Sequence, residues 1–311
     1  MKKIVLKSFP LTKAKKEKPT ISSILIFTLL AIYTLVLFIP IIWSIYASLA
    51  DNYMFSIVFD PQYPNLNEKL TLGFDNFKFA WEELTITTPA VNGKDAMTYG
   101  VIGLMGNSLL YAFTSATVFT VCPIIVAYVT ARFKYAFSKI IYAFVVVVMA
   151  LPIVGAMASE IRMLYNLGVY DSIFSMVILR FNFLSIYYLI LHAQFSTIPK
   201  DYTEAAKIDG ASNLRIMFQV VIPQALNTIV TVFILSFVTY WNDYQIPLLY
   251  LPSYPTAAYG IYDFVYNATA DKATVPHQMA VTIMLTLPIV IVFIALNKRM
   301  RLSVSMGGIK S

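Results

Sequence analysis

Six stretches of this chain carry little or no charge and are long enough to cross the ~30 Å hydrocarbon core of a bilayer. They run from Ile24 to Leu49, Gly103 to Ala131, Ile140 to Ala158, Ile173 to Ala193, Ala225 to Trp241 and Met279 to Leu296. The fourth contains Arg180 and the fifth abuts Asp243, so those two are less clean than the rest. The pattern predicts an all-α integral membrane protein with six transmembrane helices and no tandem repeat. Its expected segments are a basic N-terminus (1–23), a first span (24–49), an outer loop (50–102), a core of five spans (103–297) and a C-terminal tail (298–311). The first run resembles a signal peptide in its basic flank and in the small residues Ser48 and Ala50, but it exceeds the 7 to 15 residues of a signal h-region and reads as an uncleaved anchor. Within the outer loop, "FDNFKFAWEEL" is patterned as an amphipathic surface helix.

Between the fourth and fifth runs the pattern changes. Pro199 stands at a helix start, Asp201 and Glu204 lie in the first turns where carboxylates complement the positive end of the helix dipole, and Gly210 follows as a stop. A short helix is expected over 199–209. Ser212 can cap a second, carrying Leu214, Ile216, Met217, Val220 and Val221, which Pro223 interrupts. Ala205 and Ala206 remove bulk from the first helix, so that a partner can approach closely, and Gly210 occupies a position where the backbone often needs positive φ. The result is helix, glycine turn, helix over 199–223.

Composition supports a membrane protein: 59% of the 311 residues are hydrophobic, 13% are charged, and the mean hydropathy is +0.70. The net charge of +7 does not indicate nucleic acid, because its distribution follows membrane orientation. With the N-terminus inside, 17 of the 23 Lys and Arg fall in inner segments. Lys69, Lys78, Lys94, Arg162 and Lys272 fall outside, and Arg180 lies within a span. Both termini, and the segment 199–223, are therefore expected in the cytoplasm. The single cysteine, Cys122, excludes an intrachain disulfide and reads as a small core hydrophobe. His192 and His277 have no His, Cys or carboxylate at ligand spacing, so no metal site is expected. No phosphate-binding "GxxxxGK[ST]" occurs, so any ATP and Mg are bound by other chains and this one is not an enzyme. Tyr240, Trp241, Asn242, Asp243 and Tyr244 end the fifth run. An ionisable group at that depth, flanked by aromatic faces that can stack on sugar rings, marks a candidate substrate path, against the alternative of an interfacial Trp and a solvated Asp.

The residues "EAAKIDGA" with Ile222-Pro223 downstream resemble the cytoplasmic signature of binding-protein-dependent ABC importer permeases, Ile-Pro standing where Leu-Pro is usual. "NSLLYAF" at Asn107, "ARFKY" at Ala131, "LP" at Leu151, "WNDYQIPLL" at Trp241 and "GGIKS" at Gly307 narrow the resemblance to MalG-like sugar importers, from about Phe74 to the C-terminus. This resemblance implies a permease half in a bacterial inner or cytoplasmic membrane. Its partners would be a second homologous permease, two ATPase subunits and an extracytoplasmic sugar-binding protein. Glu204, Ala205, Ala206, Asp209, Gly210 and Ala211 would form a coupling helix and turn seated on an ATPase. Importers of polyamines, amino acids or metal complexes share a shorter signature and remain the alternative. A membrane-embedded enzyme or secondary transporter would need intramembrane catalytic or proton-relay residues, and the spans hold almost none besides Arg180.

Overall fold

The structure is a computed structural model that describes residues 20–52, 55, 71–91, 93–133, 135–151, 155–269, 272 and 274–306, with side chains as far as residue 295. The basic stretch before residue 20, Lys69, Pro152 of the Leu-Pro pair and the tail from Gly307 lie outside the described residues. By internal contacts the chain forms two units, Met1–Tyr46 and Ala47–Ser311.

The first unit holds most of helix α1 (Ile21–Leu49), apolar on every side and about 43 Å long at 1.5 Å per residue. Its Thr28, Thr34 and Ser44 hydroxyls donate to carbonyls four residues back, at 2.9, 2.7 and 2.7 Å. Polar atoms on an apolar helix are thereby satisfied without an outside partner.

The second unit begins its regular structure with α2 (Asp75–Glu83), the amphipathic helix expected in the outer loop; it buries Asn76 and Ala80 and leaves Trp81 exposed. A two-stranded antiparallel ribbon follows, β1 (Ile86–Thr87) with β2 (Thr98–Tyr99). Then come α3 (Val101–Arg132), α4 (Ala136–Ala150), α5 (Met157–Asn166), α6 (Ile173–Arg180), α7 (Ile186–Thr197), α8 (Asp201–Ile208) and α9 (Asn213–Ile216). A π-helical turn (Met217–Val221) leads into α10 (Ile222–Trp241), followed by α11 (Gln245–Tyr250), α12 (Ala257–Asn267) and α13 (Val275–Met306).

Helix α3 is the centre of this unit, packed most extensively on α10 and α7. Its buried face recurs every three or four residues and is small: Ser108, Ala112, Ser115 and Ala116 are buried with Leu104 and Tyr111. Small residues let helices approach closely where lipid offers no hydrophobic drive between them. Ser108 Oγ also accepts the Ala257 N–H at 2.6 Å, anchoring the start of α12.

Among the described residues four helices are long and apolar enough to cross a membrane: Ile21–Leu49, Val101–Arg132, Asn213–Trp241 and Val275–Ala295. Ala136–Ala150 is apolar but shorter. Three expectations change. The fourth apolar run is not one helix, because α6 stops at Arg180 and α7 begins at Ile186. Asn182 Oδ1 accepts the Leu184 N–H at 2.8 Å, an Asx turn that competes with helix continuation. Second, Pro223 does not end the helix after Ser212. The chain stays helical from Asn213 to Trp241, and the π turn before Pro223 widens the ladder where a proline ring would strike the carbonyl four residues back. Third, the run from Ile140 to Ala158 is not one helix, because α4 ends at Ala150 and α5 begins at Met157; the last helix, for its part, runs on through positions 298, 299 and 301 to Met306.

Candidate functional site

The expected helix, turn, helix is present, with its first helix shortened to Asp201–Ile208. Gly210 has φ +78°, the left-handed conformation at which a helix reverses. The Gly210 N–H donates to Lys207 O at 3.0 Å and the Ala211 N–H to Ala206 O at 2.9 Å, the paired bonds of a Schellman stop. A Cβ added at Gly210 would meet nothing within 4 Å, so backbone conformation and not crowding requires the glycine. Ser212 caps α9 as expected, its Oγ accepting the Arg215 N–H at 3.3 Å.

No side chain of α8 is buried. Glu204, Ala205 and Asp209 are exposed, and Ile208 at the helix end is 88% exposed, an unusual position for an isoleucine. The two alanines part ways: Ala205 is exposed, whereas Ala206, with Ala211, packs against a core cluster that includes Ile216 and Met217. Ala206 is thus partly covered by its own chain, and of the two alanines only Ala205 is exposed. Leu214 and Phe218 are likewise exposed while Ile216, Met217 and Val221 turn inward, the division that an i, i+4 stripe imposes.

The five residues at the end of α10 separate. Tyr240 and Trp241 are core side chains, 7% and 4% exposed, in a cluster with Tyr111 and Phe237. Asn242 is exposed and its amide donates to Val238 O at 2.8 Å. Tyr244 is exposed and stacked on Tyr262, centroids 4.6 Å apart. Asp243 turns into a charged network: its Oδ2 accepts the Tyr111 hydroxyl at 2.7 Å and lies 3.7 Å from Arg180 Nη2, and its Oδ1 accepts the Ile246 N–H at 3.1 Å. Arg180 Nη2 donates to the Tyr111 oxygen at 3.1 Å, and its guanidinium lies over the Tyr240 ring at 4.6 Å. Arg180, the cation within the fourth apolar run, thus finds its counter-charge in its own chain, with Tyr111 as the bridge. No local signal pointed to Tyr111, 69 residues before Arg180 and 132 before Asp243.

In the connections before α6 and after α11 a second carboxylate escaped sequence reasoning. Asp171 is buried at φ +57° and accepts Lys94 Nζ at 3.0 Å, the Ser253 N–H at 2.9 Å and the Ser253 hydroxyl at 2.6 Å. Burial opposes the charge on Lys94, but the hydrogen bond and charge of Asp171, with a further contribution from Tyr254, together hold the ammonium above the ordinary lysine range. The lysine's contribution to stability is therefore fully present below the ordinary lysine range and is lost as pH rises through the elevated value. Among the described residues no group of three or more His, Cys, Asp or Glu converges as metal ligands would.

A unit of packed helices, several of them apolar and long enough to cross a membrane, with an exposed helical elbow leading into one of them, has the architecture of a membrane protein. The chain superposes on a bacterial ABC transporter involved in the import of the acidic polysaccharide alginate with a TM-score of 0.70, covering 89% of this chain and 96% of that one at 18% identity, which establishes a shared fold. Residues 120–304 match the model for the binding-protein-dependent transport system inner membrane component, more than half of the chain, and the protein belongs to that family. Curated relatives include the melibiose/raffinose/stachyose import permease MelC of Bacillus subtilis, 26% identical over 77% of this chain and 82% of that protein. The sn-glycerol-3-phosphate transport system permease UgpE of Yersinia pestis is 25% identical over 69% and 76%. The diacetylchitobiose uptake system permease NgcG of Streptomyces coelicolor is 25% identical over 75% and 73%.

Proposed function

We propose that this chain is one permease half of an ABC importer that carries a carbohydrate into a bacterial cell by alternating access. The observation that carries the reading is α8 itself, a helix with no buried side chain, ended by a Schellman stop at Gly210, and tipped by an exposed Ile208 in a protein of this family. An apolar tip and a carboxylate-bearing face without intramolecular burial suit docking in a groove of another subunit.

In this reading the chain has six spans, with both termini and the elbow in the cytoplasm, and the two broken helices α6 and α7 together serve as the fourth. Glu204, Ala205, Asp209 and Gly210 contact or shape the contact with one of two ATPase subunits, which bind ATP and Mg. Ala206 and Ala211 seat the elbow on its own bundle. A second, homologous permease completes the translocation path, and an extracytoplasmic binding protein delivers the sugar. Substrate class follows the relatives whose names specify sugars or a sugar-like polyol phosphate. With Tyr240 and Trp241 in the core, Asn242 and Tyr244 are the exposed members of the candidate path.

The test is uptake by cells carrying the complete transporter, using labelled melibiose, raffinose, diacetylchitobiose, sn-glycerol 3-phosphate and, as contrast, spermidine. Concentrative uptake of a sugar, with crosslinking of an Ile208→Cys variant to the ATPase, supports the reading. Uptake of spermidine alone, or a tag at Ser212 reached only from outside the cell, would sink it.

A further inference from the structure

We propose that Arg132 is a positioning residue for α8, the side chain that fixes the orientation of the elbow at the end opposite the Gly210 turn. The proposal rests on the reading that α8 docks on an ATPase subunit.

A helix is ordinarily oriented by the side chains it buries, and α8 buries none. At its C-terminal end the Schellman bonds tie Gly210 and Ala211 back to the helix, and Ala206 and Ala211 touch the core. Its N-terminal end needs another restraint. Helix α7 stops at Thr197, so the carbonyls of its last turn lack helical donors, and Pro199 brings no N–H to the connection. Arg132, the last residue of α3, fills that gap. Its Nη1 donates to Ile198 O at 2.7 Å and, more weakly, to Phe195 O at 3.4 Å. Its Nη2 donates to the Thr203 hydroxyl oxygen at 3.1 Å and, again weakly, to Pro199 O at 3.4 Å. Thr203 passes the contact on by donating to Lys200 O at 2.7 Å, within the first turn of α8.

The guanidinium therefore joins three elements: the end of the central helix α3, the unfinished end of α7 and the start of α8. A planar cation with five donors suits this better than lysine, which offers one tetrahedral centre and cannot span both sets of acceptors. Cations near a helix C-terminus are also favoured by its dipole. Beside this contact a cavity of about 190 Å³, lined by Tyr128, Lys200, Glu204, Lys207 and Asn213 together with Arg132, separates α8 from the end of α3. Packing alone does not close the gap, so direction passes through the arginine. Sequence counts Arg132 only as an orienting inner charge within "ARFKY"; its acceptors lie 63 to 71 residues away.

The test uses the full complex in lipid nanodiscs and titrates ATPase subunits onto the permease pair. A positioning role predicts that Arg132→Met lowers the maximal permease-dependent rate of ATP hydrolysis about 10-fold while the half-saturating ATPase concentration moves less than about 3-fold. Arg132→Lys should recover part of the rate, and Thr203→Val, which loses one acceptor, should lower it about 2-fold to 3-fold. A purely structural role would lower abundance and rate together, with no graded recovery by lysine. Wild-type maximal rates in both Arg132→Met and Thr203→Val overturn the proposal. If Arg132→Met fails to assemble, Arg132→Lys and Thr203→Val decide, and a wild-type rate in both of those again overturns it. Crosslinking of Ile208→Cys to the ATPase in an otherwise unaltered chain separates the two readings. Its absence refutes the docking of α8 and the proposal with it, whereas its presence with unchanged Arg132 variants refutes the positioning role alone.

Discussion

The turn of the elbow at 206–215 and the Tyr111, Arg180 and Asp243 network are both polar features of an apolar protein, yet they are built on opposite scales. Every hydrogen bond that shapes the elbow's turn spans five residues or fewer, from Lys207 to Gly210, Ala206 to Ala211 and Ser212 to Arg215. The network joins groups 69 and 132 residues apart and draws on two helices, α3 and α6, and on the connection between α10 and α11. Helix α8 of the elbow has no fully buried side chain, so it adds little apolar burial to the bundle. The network is largely buried, each ion-pair side chain keeping 19% of its surface exposed, so losing one member leaves a charge with nowhere to go. We therefore expect stability to depend on the network and function to depend, at small cost in stability, on the elbow.

The largest effect should come from Asp243→Ala, which leaves the Arg180 guanidinium without its counter-charge. Breaking a largely buried pair costs about 3 kcal/mol, measurable as a lowered unfolding midpoint in detergent. The double variant Arg180→Met with Asp243→Leu should recover most of it, since apolar residues of similar volume often replace buried pairs without loss. A single variant as stable as the parent would erase the contrast between the regions. Tyr111→Phe comes next, at about 1 to 2 kcal/mol, because it leaves the Arg180 and Asp243 groups bridged by nothing at 3.7 Å.

At the elbow, Gly210→Val should cost of order 1 kcal/mol for forcing a β-branched residue to positive φ. It should insert at near-normal abundance yet lose most permease-dependent ATP hydrolysis and transport. Gly210→Asn, whose side chain tolerates the left-handed region, should keep both. Equal loss in the two variants would mean that something other than backbone conformation matters at this position. The smallest effect should be Ser212→Ala: its cap bond is long at 3.3 Å, so a loss of about 0.5 kcal/mol is expected, seen as faster amide exchange at Arg215 with transport nearly unchanged.

The sequence by itself determined what depends on near neighbours. Long apolar runs become helices because an apolar environment leaves backbone groups no other partners. Val101–Arg132 and Val275–Ala295 lie close to where hydropathy put them, and "FDNFKFAWEEL" is helical for the same local reasons. The turn at Gly210 was legible because one residue type tolerates positive φ at a helix stop, and the cap at Ser212 because its acceptor and donor are three residues apart. Only the tertiary structure decided which polar groups meet. It broke the fourth apolar run at Asn182, carried the fifth helix through Pro223 by a π turn, and turned Trp241 and Ala206 inward. It also gave Arg180 and Arg132 their partners. Those outcomes depend on where distant helices place a carboxylate, a hydroxyl or a free carbonyl. A cation in an apolar setting must find such a partner, but its own neighbours along the chain do not say which.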